Sequence, residues 1–245
     1  IHAPFASTVA RDSVRDDPGN EQLIEDIGAA IVAALPELRS QDLIDDMFLA
    51  TLPNPDDALD HPYHLIRDAI TEAFNALDIT PVRGSGYAPA RSLVASPKEF
   101  RNWLAEKDLE VLLPLAGIDT KRRPRWIRDR DGRSGKFLGG LDAIQFGWHE
   151  LDEVLEAVSE HARSYVVDGR VVGIAEPPGA EILGPWTSWL DSKSGVDLVN
   201  LYQLLGRGRS QRDLYASLNR IPLIRLRQRD KQTHVKGPDT FLPQS

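Results

Sequence analysis

The fold of this chain is decided first by the stretch NEQLIEDIGAAIVAALPEL, residues Asn20–Leu38. Apolar side chains recur in it at spacings of three and four residues, which is the periodicity of one face of an α-helix. Asn20 is a residue type that is favoured at the N-cap of a helix. We therefore predict a helix from Asn20 to Leu38 that buries Ile27 and Ile31 in a hydrophobic core.

Further helices are predicted outward from this one by the same periodicity and by helix start and stop signals. Ser96-Pro97-Lys98-Glu99 combines a capping serine, an early proline and a glutamate in the capping-box position, and it therefore predicts a helix start. The other helices are expected at Asp42–Leu49 with Ser40 as cap, Tyr63–Leu77, Glu150–His161, Ala180–Leu190, Val196–Leu205 and Gln211–Asn219.

Short strands and hairpins complete the prediction. Asp131-Gly132 and Asp168-Gly169 are two-residue turn signals, each between apolar β-type segments. Strands are also expected at Ile79–Val82 and Ser92–Ala95, and a terminal hairpin at Ile221–Arg227 with Thr233–Lys236. The predicted fold class is α+β, mixed and helix-rich, with two subdomains, residues 1–120 and 121–245, that meet near residues 118–125.

Composition excludes several classes of protein. The 245 residues are 41% hydrophobic and include no cysteine, so disulfides, thiolate zinc sites and cysteine nucleophiles are excluded. No apolar run approaches the roughly 18–20 residues that cross a bilayer, and we expect a cytoplasmic protein without a membrane partner. The formal net charge of −8 argues against a general affinity for polyanions.

Charge is nevertheless distributed unevenly along the chain. Residues 1–60 contain 13 acidic and 3 basic side chains, a balance of −10. Residues 120–139 contain 8 basic and 2 acidic side chains (+6), and residues 205–236 contain 9 and 2 (+7). These segments could attract one another or present different faces to different partners.

The opening run IHAPFASTVARDSV, residues Ile1–Val14, has no initiating methionine and is typical of the interior of a larger protein. Its segment Thr8–Ser13 resembles the short motif that follows the nucleotide-binding domain in bacterial sacsin-like and heat-shock-chaperone-type GHKL ATPases. The segments HPYHLIRDAI (61–70), IPLIRL (221–226) and THV (233–235) are similar to structural motifs of the sacsin-like proteins.

The resemblance implies a coupling region, of the middle-domain type in residues 1–120, from a chaperone-like ATPase. Arg11 would then be the catalytic residue that reaches the γ-phosphate of ATP in a separate N-terminal domain. ATP and Mg²⁺ would belong to that domain, since the family's Asn-bearing helix, Asp-x-Gly-x-Gly loop and Gly-rich lid are not found here. The expected partners are that domain and client proteins, and no cofactor is expected in this chain.

The alternative function is nucleic-acid binding, because arginine is interleaved with aromatic residues in the two basic segments, 121–136 and 207–231. The side chains expected to contact phosphates are Arg122, Arg123, Arg125, Arg128, Arg207, Arg209 and Arg212. A third possibility is an interaction scaffold without a ligand.

Two other patterns are weaker signals. Gly132–Lys136 lacks the first glycine and the hydroxyl residue of a phosphate-binding P-loop, and a basic hairpin turn is the preferred interpretation. Asp56, Asp57, Asp60, His61 and His64 cluster in sequence, but Pro62 interrupts the spacing that a helical metal site requires, so no metal ligands are predicted.

Overall fold

A computed structural model describes residues 4–7, 14–15, 17–59, 61–129, 131–161, 163–167, 170–175, 182–208, 219, 221–228 and 231–237. The chain is helix-rich and mixed α+β, with sheets of only two or three short strands, which confirms the predicted fold class. In chain order, the elements are α1 (Pro18–Ser40), α2 (Asp46–Thr51), α3 (His64–Ala76), β1 (Thr80–Pro81), β2 (Tyr87–Ala88), β3 (Leu93–Ala95), α4 (Lys98–Trp103), α5 (Glu106–Leu115), β4 (Arg125–Trp126), α6 (Gly132–Gly139), β5 (Ile144–Gln145), α7 (Trp148–His161), β6 (Arg163–Val167), β7 (Arg170–Ala175), α8 (Leu183–Asp191), α9 (Gly195–Gly208), β8 (Ile224–Gln228) and β9 (Lys231–Val235).

The chain forms two compact units, and each is built from two separate segments. The first comprises Ile1–Ala95 and Arg125–Ile144, and the second Ser96–Pro124 and Gln145–Ser245. Residues 125–144, which the sequence placed in the second subdomain, belong to the first unit because β4 pairs in parallel with β3 and α6 packs on α2.

The core of the first unit lies between α1, α3 and α6. Ile24, Leu35 and Phe74 are completely buried, and the rings of Phe74 and Phe137 meet edge to face with centroids 5.0 Å apart. Gly28 lets α1 approach α3 closely, since a Cβ there would lie 3.4 Å from the Cβ of Ala69. The helix therefore buries the face that carries Ile24 and Leu35.

Ile24 and Leu35 belong to the predicted apolar stripe, but two other members of that stripe are less deeply buried than expected. Ile27 and Ile31 are only partly buried and pack against the margin of the core. Helix α1 also begins earlier than predicted, because Asp17 caps it by accepting a hydrogen bond from the Gly19 amide at 2.8 Å. Asn20 is not the cap.

Small sheets complete the first unit. β1 and β2 are antiparallel, with Thr80 opposite Ala88, and the intervening Gly84 and Gly86 have φ angles of 94° and 97° that a side chain would disfavour. The second sheet has the order β4-β3-β5, and Leu93 pairs with Arg125 in its parallel ladder.

Three local predictions in these regions are wrong. Ser40 is the last residue of α1, while Asp45 caps α2 by accepting from the Phe48 amide at 2.8 Å. The expected hairpin at Asp131-Gly132 is instead the helix α6. Helix α4 does start at Lys98, but its N-cap is Pro97, which has no side chain that can cap it. The buried Ser96 hydroxyl forms no hydrogen bond with the described residues.

The second unit is built on helices α4, α5, α7, α8 and α9, with two hairpins. α7 follows the predicted helix closely. The antiparallel pairs β6–β7 and β8–β9 confirm the strand pairing expected in residues 166–172 and 221–236. Its aromatic core includes Trp186, which is fully buried and whose ring centroid lies 5.1 Å from that of Trp189.

The predicted helix Gln211–Asn219 lies outside the described residues, except for Asn219. Among the described residues, no helix combines the length and apolarity of a membrane span.

Candidate functional site

Residues 8–13, which we call the Arg11 segment, are flanked by residues that are hydrogen-bonded to the first turn of α1. Arg11 and its motif Thr8–Ser13 lie outside the described residues, but the flanking Ser7 and Val14 form an antiparallel bridge. The amide of Arg15 also donates to the Ala6 carbonyl at 2.9 Å. The two ends of the segment are therefore held side by side.

Asn20 makes the connection between these flanking residues and the helix. Its amide oxygen accepts from the Ala6 backbone N–H, and its NH₂ group donates to the carbonyls of Ala6 and Arg15, each at 2.8 Å. The side chain is only 2% exposed and uses both ends of its amide on backbone groups from both sides of the segment. The sequence showed a polar residue at a helix start, which predicted a cap, and gave no sign of these distant partners.

Within the first unit, the described arginines of the first basic segment contact protein groups. Arg125 donates to the Ser85 carbonyl at 2.7 Å, and Arg128 lies 3.4 Å from a carboxylate oxygen of Asp46. Arg133 forms a two-point pair with Asp57 at 3.0 and 2.7 Å, and this hydrogen bonding lowers the pKa of the Asp57 carboxyl. Asp46 and Asp57 of the acidic N-terminal part thus pair with two of these arginines.

The remaining predicted phosphate contacts are dispersed. Arg122 and Arg123 belong to the second unit, where Arg123 pairs with Glu110. Arg209 and Arg212 lie outside the described residues, and Arg207 is described only as part of the backbone of α9. The structure therefore does not bring the seven arginines together within one described surface.

In the acidic and histidine cluster before α3, both described aspartates form ion pairs. Asp57 and Asp56 pair with Arg133 and Lys136, and His61 Nε2 lies 3.2 Å from Glu21 Oε1. No group of three or more metal-ligand side chains is found among the residues that the structure describes.

A buried polar cluster in the second unit was not predicted. Asp108, in the first turn of α5, is 1% exposed, and its Oδ1 accepts from Lys193 Nζ at 2.6 Å and from Trp189 Nε1 at 3.1 Å. Its Oδ2 accepts from the Ala105 amide at 2.7 Å. Lys193 also lies over the Trp189 ring, 5.1 Å from the centroid, where the ring face attracts the cation. This arrangement holds α5 against the end of α8.

A second polar cluster joins the terminal hairpin to α8. Arg225 Nε donates to His234 Nε2 at 3.3 Å, which assigns the neutral tautomer with its proton on Nδ1, and Nδ1 lies 3.2 Å from Asp191 Oδ1. Arg225 also donates to the Leu190 carbonyl. Burial lowers the pKa of His234, Asp191 opposes the shift and Arg225 adds to it.

Comparison with known proteins supplies no further identification: no family model, curated protein or solved structure matches the chain.

Proposed function

We propose that this chain is the non-catalytic coupling region of a sacsin-like, GHKL-type ATPase and acts in the cytoplasm. In this proposal Arg11 senses the γ-phosphate of Mg-ATP held by a separate N-terminal domain, and the chain passes that state to protein partners. The single observation that carries the proposal is the connection of the Arg11 segment to α1 through Asn20.

A displacement of the segment that carries Arg11 would be transmitted to helix α1 through Asn20. A residue that responds to a nucleotide alters the rest of its protein only if a packed element moves with it. Asn20 bonds to backbone groups on both sides of the segment, and four residues further along α1 Ile24 is completely buried in the core of the first unit. A displacement of the segment would therefore also displace α1, a helix of the core.

An arginine supplied from outside the nucleotide-binding domain would stabilise negative charge that develops on the phosphoryl oxygens. It would contribute mainly to the transition state, so its loss should reduce turnover more than nucleotide affinity. The chain alone should bind no ATP, because the phosphate-cradling motifs that the resemblance requires are not in its sequence.

The first test is the coding sequence immediately upstream, which should encode a GHKL nucleotide-binding domain. ATP turnover by the whole protein should then fall in Arg11→Ala, with nucleotide affinity nearly unchanged and only partial rescue in Arg11→Lys. Arg15→Ala is the matched control, since Arg15 is an exposed arginine of the same segment. An upstream sequence without such a domain, or equal turnover in Arg11→Ala and Arg15→Ala, would overturn the proposal.

Asn20→Ala supplies the test specific to coupling. If the connection transmits the nucleotide state, this variant should retain nucleotide affinity and lose part of the turnover that Arg11 supports. Combining it with Arg11→Ala should produce little additional loss, because both changes interrupt the same path. Fully additive losses would place Asn20 outside that path.

A further inference from the structure

An open apolar groove runs between α1 and α3 on the surface of the first unit. It has a volume of about 520 Å³. Its lining includes Glu25, Ala29 and Val32 from α1, Leu65 and Ala69 from α3, and Leu77 directly after α3. We refer to it as the α1–α3 groove. Leu77 is 39% exposed although it is a large apolar residue at the end of α3.

The groove results from the small side chains along the two helices. Gly28 and Ala69 allow close approach on the core side, where a Cβ at position 28 would lie 3.4 Å from that of Ala69. On the outer side, alanine at positions 29 and 69 leaves the space above the contact unfilled. The result is a concave surface with an apolar floor.

The direction and length of the groove suit a helix. Contacts advance together along the two segments, from Glu21 with His61, three residues before α3, to Gly28 with Ala69, so the two helices run in the same general direction. The 13 residues of α3 extend about 20 Å at ~1.5 Å per residue, which is the length of three to four helical turns. An amphipathic helix that lays its apolar face into a hydrophobic groove is a common mode of recognition.

Charge favours a basic occupant over an acidic one. Glu72 lies at the groove but is neutralised by a two-point contact with Arg91 at 2.8 and 2.7 Å. Glu25 forms no ion pair or hydrogen bond with the described residues, and it is exposed at the rim. Among the described residues that line the groove, none is a lysine or an arginine.

We propose that the α1–α3 groove binds an amphipathic helix of a protein partner, with its apolar face on Ala29 and Ala69 and a lysine or arginine beside Glu25. The proposal does not depend on the ATPase relationship, since it rests on the shape, apolarity and charge of this surface alone.

The probe is a fluorescein-labelled helical peptide of leucine, alanine and lysine, about 16 residues or ~24 Å long. A matched peptide has glutamate in place of every lysine. Fluorescence anisotropy with the whole chain should show binding of the lysine peptide and at least about tenfold weaker binding of the glutamate peptide, a difference of ~1.4 kcal/mol. Equal binding of the two peptides, or none of the lysine peptide, would overturn the proposal.

Ala29→Arg should weaken binding of the lysine peptide at least about tenfold, because it fills the groove and places a positive charge beside Glu25. Ala34→Arg is the matched control: it is the same substitution at an exposed alanine of α1, about 140° around the helix from Ala29 at 3.6 residues per turn. Equal thermal midpoints for the two variants would show that both are folded. Equal peptide binding by the two would reject the groove as the site.

Glu25→Lys should reverse the preference of the groove for the lysine peptide, so that the glutamate peptide becomes the tighter ligand. Sedimentation of the chain without peptide tests the other occupant, a second copy. A dimer that Ala29→Arg converts to a monomer would mean that the groove is a self-association surface, which would overturn the proposed partner.

Discussion

Lys193 Nζ lies 2.6 Å from Asp108 Oδ1, and the two side chains are only 7% and 2% exposed. Removing two charges from water is unfavourable, and their attraction offsets this only when the remaining polar atoms are also bonded. Trp189 and Ala105 supply two further hydrogen bonds to the same carboxylate. The pair therefore depends on both partners being present.

Breaking this pair should destabilise the protein more than removing it entirely. Lys193→Met and Asp108→Leu should each reduce the free energy of unfolding by about 3–5 kcal/mol, since each leaves one buried charge alone. The double variant should lose clearly less than the sum of the two, as measured by urea denaturation. Glu110→Ala, which removes an exposed partner of Arg123, should change stability by less than about 1 kcal/mol. Additive losses would show that the two charges are not energetically linked.

Asn20→Ala should reduce the free energy of unfolding by about 2–4 kcal/mol, because three hydrogen bonds at ~0.5–1.5 kcal/mol each are lost. The backbone of Ala6 and Arg15 should at the same time exchange its amide hydrogens faster. Gln22→Ala, at an exposed position two residues further along the helix, should have little effect on either measurement. An Asn20→Ala protein as stable as Gln22→Ala would contradict the anchoring role.

The stability of the second unit should fall as the pH falls below about 6.5. Burial lowers the pKa of His234 below its unfolded value of ~6.5, so the unfolded chain takes up the proton first. The stabilisation is fully present above that pH and declines as the pH falls toward the folded pKa. Protonation would also place a second cation beside Arg225, although Asp191 partly compensates.

Unfolding by urea at a series of pH values measures this effect. His234→Gln should remove the part of the pH dependence that lies just below pH ~6.5, whereas His149→Gln should retain it, because the His149 side chain is 80% exposed. The same slope in both variants would assign the pH dependence to other groups.

Gly140→Ala should lower the stability of the folded protein although it adds only one methyl group. A Cβ at this position would lie 2.4 and 2.9 Å from the Cγ and Cδ atoms of Pro55, so the backbone would have to shift, at a cost of about 1–3 kcal/mol. Gly184→Ala in α8 is the control, since none of the described residues, apart from its chain neighbours and the backbone of its own helix, has an atom within 4 Å of the added methyl group, and it should be neutral or slightly stabilising. Thermal unfolding would separate the two, and equal midpoints would contradict the close contact.

Nucleic-acid binding remains the alternative hypothesis, and its test is salt dependence. Replacing Arg123, Arg125 and Arg128 with Ala should leave the salt slope of any DNA binding unchanged, because all three already contact protein groups. A slope reduced by about 0.9 for each arginine would instead show that these side chains release counterions from phosphates.

The sequence predicts best the elements whose signals are local. Helix α3 differs from its predicted bounds by one residue at each end, because its apolar periodicity and its flanking residues agree. The strands before and after residues 168–169 pair antiparallel as expected, with Val167 opposite Arg170. Asp131-Gly132 carries the same turn signal, yet residues 132–139 are helical, since Phe137 and Leu138 bury their side chains in the first unit.

The polar clusters were unpredictable because their members are far apart in the chain. Asp108 and Trp189 are separated by 81 residues, and nothing near Asp108 distinguishes it from an ordinary acidic residue in the first turn of a helix. The role of Asn20 was equally hard to predict, since asparagine is suited both to capping a helix and to bonding the backbone of Ala6. Its assignment depended on the position of Asp17, which takes the cap.

The interleaving of the two units determines the order in which they can be completed on the ribosome. Phe74 emerges long before Phe137, the ring against which it packs. At ~5–20 residues per second, this delay is about 3–13 s. The 29 residues of Ser96–Pro124 emerge within that interval, although they belong to the other unit. The first unit can therefore close its core only after part of the second has already been synthesised.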